Sequence, residues 1–327
     1  MAGATMSRAT IIFGALLLVA LPLSLVAGRV WIGGGDVANA TLILAELRLP
    51  RSVLAVVVGG GLGAAGAAMQ GYLRNPLADP GLFGIAPGAA LGAVTAIWLG
   101  LAASPLVLPL FALVGAGAAM ALLALIAGRS ASGLGRGIAL FTLAGLMVAS
   151  LAGALTALMI SLAPNAFALS NIVLWLNGAL TDRSWQDVAI AAPLTLVGIL
   201  LLRRAGTALD AMTLGEEVAR SLGIDARRLL WLLIAGVGLT VGAGVAVAGI
   251  IGFVGLIVPH LVRPLTDRRP SRLIVPSALA GALLVLVADS VVRILPLVTE
   301  LRLGIALSLI GAPFFLWLLV RMRRGWA

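Results

Sequence analysis

Nine apolar runs of about twenty residues recur along this chain, and a tenth is shorter and interrupted. A run of that length matches the hydrocarbon thickness of a bilayer, where no water is present to bond an exposed peptide group. Each run is therefore predicted to be a helix. The fold class is all-α: a polytopic membrane protein of about ten transmembrane helices with short re-entrant or interrupted segments. The spans are read at 9–28, 52–72, 82–101, 106–127, 137–162, 185–202, 229–247, 273–294 and 303–320, with the broken segment at 249–263. A further short helix is expected at 171–180. The first run is too long for a signal-peptide core of about 7–15 residues and is read as retained. Residues 1–327 form a single transmembrane domain.

Charge gives the orientation. All 22 basic residues are arginine, and sixteen of them fall on one side of the spans. The six on the other side are Arg29, Arg48, Arg51, Arg183, Arg293 and Arg302. The richer face is cytoplasmic by the positive-inside bias, so both termini lie in the cytoplasm. These arginines are scattered between apolar spans rather than gathered in a patch, which argues against nucleic acid as a partner despite the net charge of +10. The absence of lysine removes the residue that a Walker A loop uses on nucleotide phosphates, so this chain does not hydrolyse ATP that way. With no Cys and one His, no thiol nucleophile or histidine metal cluster is available, and no metal site is expected.

The cytoplasmic stretch 203–228, RRAGTALDAMTLGEEVARSLGIDARR, holds nine charged residues and reads as a charged loop around one short helix. Thr213 is placed to N-cap it, Glu216 to complete a capping box and Gly223 to stop it, so 214–222 is predicted helical. Glu216 and Glu217 near its start and Arg220 near its end suit the helix dipole. Leu214, Val218 and Leu222 form one narrow apolar stripe. So short a helix needs a surface to pack on, either a partner's groove or the bilayer itself.

Inside the spans, ionisable residues are nearly absent. Asp289 and Arg293, spaced i, i+4, are expected to pair with each other. His260, after Pro259, is read as structural in preference to a ligand contact. A proton- or sodium-driven carrier needs buried acids or histidines as relays, so the energy for transport must come from outside the chain. Two Pro-containing breaks, RNPLADP at 74–80 and IVPHLVRP at 257–264, each follow a Gly-rich helix and hint at an internal repeat.

Four segments together, RNPLADPGLFGIAPGAALGA (74–93), LGEEVARSLG (214–223), GIIGFVGLIVPHLVR (249–263) and ELRLGIALSLIGAPFFLWLL (300–319), resemble the FecCD family of ABC-importer permeases. That family serves cobalamin, ferric siderophores and haem. The resemblance runs in order over nearly the whole chain. It implies a permease subunit of the bacterial inner membrane, not an enzyme, that works as a homodimer with its pathway on the twofold axis. Its partners would be a separate ABC ATPase, a periplasmic substrate-binding protein and membrane lipid. No cofactor belongs to the chain itself, because ATP and Mg sit on the ATPase.

Carried over residue by residue, the resemblance makes Leu214, Gly215, Glu216, Glu217, Val218, Ala219, Leu222 and Gly223 the coupling element. Arg48 and Arg51 of LRLPR and Arg293 match docking arginines for the binding protein; snorkelling to lipid phosphates is the alternative. Asn75 and Leu77 match inner-gate positions. GIALFTLAG at 137–145 lacks the adjacent Thr and Ser hydroxyls of the cobalamin importers, which puts cobalamin in doubt. NPLADPGLFGI, WLNGAL and GAPFFLWLL look most like the haem importers. Haem is a flat apolar macrocycle with two carboxylates, and Arg183 at the outer mouth is a possible contact for them, with a headgroup anchor as the plain alternative. A ferric siderophore would tolerate the same lining. The reading from another class, a channel or a non-transport scaffold, needs a ring of charges or carbonyls that the sequence does not offer, or leaves RNPLADP and the interrupted segment unexplained.

Overall fold

The computed structural model describes residues 7–28, 40–128 and 136–324. Arg29, Asp36 and residues 129–135 of the RSASGLGR loop lie outside them. Among the described residues every regular element is helical: α1 (Arg8–Val26), α2 (Ala40–Leu73), α3 (Ile85–Trp98), α4 (Val107–Gly128), α5 (Arg136–Ser161), α6 (Ala166–Leu176), α7 (Trp185–Met212), α8 (Glu216–Ser221), α9 (Ala226–Ala248), α10 (Val254–Val262), α11 (Pro270–Ile294) and α12 (Leu303–Arg324). Eight of these are long and apolar enough to cross a bilayer. The ten expected spans correspond to those eight plus the shorter α3 and α10.

Four boundaries differ from the sequence reading, each for a local reason. The segment holding Glu46, Arg48 and Arg51 falls between the expected spans 9–28 and 52–72 yet is helical, with a π-helical stretch at Ile43–Arg48 leading into Leu49–Leu73. Pro50 is accommodated where the π-helical ladder gives way to the α-helical one, and the nearby Ala45 carbonyl accepts the Trp185 indole N–H at 3.0 Å instead of a backbone donor. The third span starts late because Pro80–Phe83 forms a 3-10 turn and Gly84 adopts φ +81°. The helix expected at 171–180 begins at Ala166, since the Asn165 side chain accepts the Ala168 N–H at 2.8 Å as an N-cap. The sixth span does not stop at Leu202. It continues as α7 to Met212, so Arg203 to Asp210 ride on a helix extension rather than in a loop.

α2 is the axis of the molecule. Within its most apolar window 83% of residues are buried in the protein, against 11% for the peripheral α1. Its widest packing is against α11, and it also lies along α7, α9 and α10. Lipid tails are as apolar as any side chain, so close van der Waals contact has to replace the hydrophobic drive that water would supply. Glycine makes that contact possible. A Cβ on Gly59 would overlap the Gly281 carbonyl, one on Gly63 the Ser277 carbonyl, and one on Gly66 the backbone of Gly255. Substitution of Gly63 by Val should therefore force α2 and α11 apart and cost about 1–3 kcal/mol or more. In α5 a Cβ on Gly153 meets nothing within 4 Å, so Gly153→Ala should be neutral or stabilising by up to about 1 kcal/mol. Thermal unfolding of the detergent-solubilised protein followed by size-exclusion chromatography measures both.

Candidate functional site

The arginine-rich end presents α8 on its outermost surface. The capping box expected at Thr213 does not form, because Thr213 closes α7 instead and its Oγ1 donates to the Asp210 carbonyl at 2.7 Å. α8 consequently begins at Glu216, with Gly215 at φ +105° as N-cap, and is shorter than the predicted 214–222. The predicted stop is present: Gly223 adopts φ +81°, its N–H donates to Arg220 O at 2.9 Å, and Ile224 N–H donates to Ala219 O at 3.0 Å. Six residues cannot hold a helix in water unaided. Ala219 anchors it by packing into the core, while Leu214, Val218 and Leu222 are 64%, 45% and 62% exposed. Glu216 and Glu217 fall in the first turn and Arg220 in the last, as the dipole favours. The whole predicted coupling set thus surrounds one anchored turn whose apolar stripe faces outward.

An unanticipated clamp holds the platform beneath α8. α11 starts at Pro270 with no side-chain cap from Arg269, and Asp210 of α7 fills that role across the chain, accepting the Ser271 N–H at 2.9 Å. An aspartate on the last turn of one helix and a Ser after Pro at the start of another are local signals, but their meeting is tertiary.

The two Pro-containing breaks meet at this same end. Asn75, Leu77 and their neighbours form a tight turn, with Arg74 left-handed and the Asn75 Oδ1 accepting the Leu77 N–H at 2.9 Å. Asn75 is exposed and Leu77 half-buried. Pro80 packs on Gly255, Gln70 Nε2 donates to Leu256 O at 3.2 Å, and Arg263 Nη2 donates to Gln70 Oε1 at 2.9 Å. His260 lies near Phe314 of α12, with ring centroids 6.1 Å apart.

At the opposite end the three proposed docking arginines are engaged inside the chain. Arg48 Nη1 donates to the Leu25 and Val26 carbonyls, both at 2.8 Å, and so satisfies the end of α1. Arg51 Nε and Nη2 donate to Asp289 at 3.0 and 2.7 Å, and Arg51 also pairs with Glu300. Arg293 Nε lies 3.2 Å from Asp289, the expected i, i+4 pair, yet Arg51 supplies the aligned hydrogen bonds. Asp289 is fully buried, and Arg51 and Arg293 nearly so. Two cations and two carboxylates therefore tie α2, α11 and the segment before α12 together. Arg183, in the loop before α7, sits 3.8 Å from Asp187, and its buried Nε has no hydrogen-bond partner.

Glu300 reports on this network. Burial pushes its carboxyl up, but the Arg51 hydrogen bond and charge together with the Arg293 charge outweigh that and bring it below the ordinary 4.5. A lowered folded-state value means that its stabilisation is complete above the ordinary carboxylate range and is lost as pH falls through the lowered value. Thermal stability should decline in acid below about pH 4.5, and Glu300→Gln should flatten that decline while lowering stability at pH 7. A thermal-shift series from pH 3 to pH 8, as buffer settings of about unit spacing, checks both halves.

Comparison with known proteins agrees with this architecture. The FecCD transport family profile matches residues 16–321. The Fe(3+) dicitrate transport system permease protein FecD of Escherichia coli K12 is 39% identical over 282 residues, covering 86% of each chain. The vitamin B12 import system permease protein BtuC of Vibrio cholerae is 37% identical, covering 84% of this chain and 82% of its own. The hemin transport system permease protein HmuU of Yersinia pestis is 36% identical, covering 85% and 83%. A solved inward-facing transporter assigned to the metal-chelate ABC type superposes with a TM-score of 0.87 at 30% identity, covering 95% of this chain and 98% of its own. With nearly its full length matched, the chain belongs to the FecCD transport family of ABC-importer permeases.

Proposed function

We propose that this chain is the membrane permease of an importer that carries an iron-containing chelate, haem in preference to a ferric siderophore or cobalamin, from periplasm to cytoplasm. The observation that carries the transport reading is the exposed stripe Leu214, Val218 and Leu222 on a turn anchored through Ala219. Its partner is a separate ABC ATPase, whose groove would cover the stripe and supply the energy. Support comes from the interior, where the buried charged residues among those described are Arg51, Asp289 and Arg293, all in one outer network rather than along a relay. A channel would require charges or carbonyls ringing a constriction, and the same residues are already spent on one another.

The outer network is proposed to meet acidic groups of a periplasmic binding protein through its exposed edge, since Arg48, Arg51 and Arg293 are held from within. Asn75 and Leu77 at the inner turn are proposed as the gate. The face of α12 that exposes Leu309, Ile310, Leu316 and Trp317 offers area for a second copy of the chain, and lipid covers what remains. Haem is favoured by the small, apolar character of the spans together with Arg183. Burial lowers the proton affinity of that guanidinium despite Asp187 and Asp182, leaving an incompletely compensated cation for a propionate-like carboxylate.

Burying a leucine side chain contributes about 1.5–3 kcal/mol, so Leu222→Asp should weaken ATPase assembly by at least roughly tenfold while the permease still purifies folded. Copurification with the ATPase reads this directly, and wild-type assembly in the variant would remove the proposed seat. For the substrate, the cognate binding protein should purify with a Soret band, and ATP-dependent haem uptake into proteoliposomes should require all three components. A binding protein that holds a siderophore or cobalamin and excludes haem would overturn the haem assignment and leave the importer intact.

A further inference from the structure

Beside α8 the packing between two spans opens. α4 and α9 touch closely at mid-span, where a Cβ on Gly238 would overlap the Met120 thioether and one on Gly242 would press on Ala116. Towards the arginine-rich end they separate into a cavity of about 1400 Å³, larger than the usual small-molecule pocket of about 300–1,000 Å³. Its walls are apolar and come from both helices, among them Ala121, Ala124 and Leu125 of α4 and Ile234 of α9. From Gly117 to Leu125 the α4 wall runs about 12 Å along the helix, long enough to hold an extended hydrocarbon chain.

The mouth has the opposite character. It is formed by Arg220 of α8, Arg227 of α9, Asp225 and the indole of Trp231, which is 48% exposed. Asp225 is committed to the backbone: its Oδ1 accepts the Arg227 and Arg228 N–H groups at 2.9 and 3.2 Å as the N-cap of α9. Among the described residues neither the Arg220 nor the Arg227 guanidinium makes a side-chain hydrogen bond or ion pair. Two unpaired guanidinium groups over an apolar slot, with a tryptophan at the boundary, are complementary to a lipid whose headgroup is negative.

We propose that the cavity between α4 and α9 is a binding site for one anionic phospholipid, its phosphate on Arg220 and Arg227 and an acyl chain along α4. The site lies beside the ATPase seat proposed above, and its chemistry does not depend on transport. Because Arg220 belongs to α8, the lipid would join the ATPase seat to the bilayer and steady a turn too short to persist alone.

Native mass spectrometry of the purified permease–ATPase complex, supplied with phosphatidylglycerol or phosphatidylcholine of the same chain length, tests this without any transport assay. The expected result is retention of one phosphatidylglycerol per permease in preference to phosphatidylcholine, with the preference falling as salt is raised. The double variant R220Q/R227Q should lower the preference roughly tenfold or more. Ala124→Trp, which fills the slot and leaves the arginines, should remove the retained lipid altogether. Equal retention of the two lipids by the wild-type complex, or a preference insensitive to salt, would overturn the proposal even if neither variant folds. Retention of phosphatidylglycerol undiminished in folded Ala124→Trp would do the same, since the lipid would then lie elsewhere.

Discussion

The close approach of α2 to α11 is the contact on which the other elements depend. Glycines at 59, 63 and 281 let the two backbones touch along much of their length, a geometry that no side chain larger than hydrogen permits. Around that seam α7, α9 and α10 pack with small residues of their own. Arg51, Asp289, Arg293 and Glu300 fasten its end farthest from α8, and removing one partner of such a buried set costs about 3–5 kcal/mol because the others are left uncompensated. The seam and its ionic fastening make a rigid spine from one face of the membrane to the other.

A rigid spine places the functional features at its ends. At the end opposite α8, the charged groups that could meet a partner protein are the same groups that close the spine, so an approaching carboxylate would compete with Asp289 and Glu300 for Arg51 rather than find it vacant. At the arginine-rich end, the two proline-containing breaks interlock through Gln70, Arg263 and the backbone of Leu256, and α8 hangs beside them on Ala219. A load applied to α8 would pass through α7 and the Asp210 clamp to the start of α11. That route joins the exposed stripe to the central seam in two helix contacts.

Spans and the position of both breaks were legible because they follow from length, apolarity and proline, which act locally. The short helix α8 was legible by its stop and charges but not by its start. Thr213 could cap α8 or close α7, and only the continuation of α7 to Met212 decides between them. The pairing of Arg51 inside the chain was not legible. Its partners lie 238 and 249 residues away in the chain, and nothing local distinguishes a docking arginine from one that pairs inside. Glu300 as a structural anion and Asp210 as the cap of another helix were missed for the same reason: both act on elements that sequence proximity does not reveal. The lipid-sized opening between α4 and α9 depends on where two helices diverge, which periodicity does not encode.

The stripe on α8 is proposed as the seat of a partner that powers transport. The chain contains no cysteine, so Leu222→Cys gives a single attachment point for a spin label. The measurement is the label's mobility by electron paramagnetic resonance in proteoliposomes, before and after the cognate ATPase is added. A mobile spectrum that becomes immobilised on addition, and recovers when the ATPase is stripped away, is the result this structure predicts. A spectrum already immobilised by the bilayer and unchanged by the ATPase would mean that the stripe rests on lipid and is not a partner's seat.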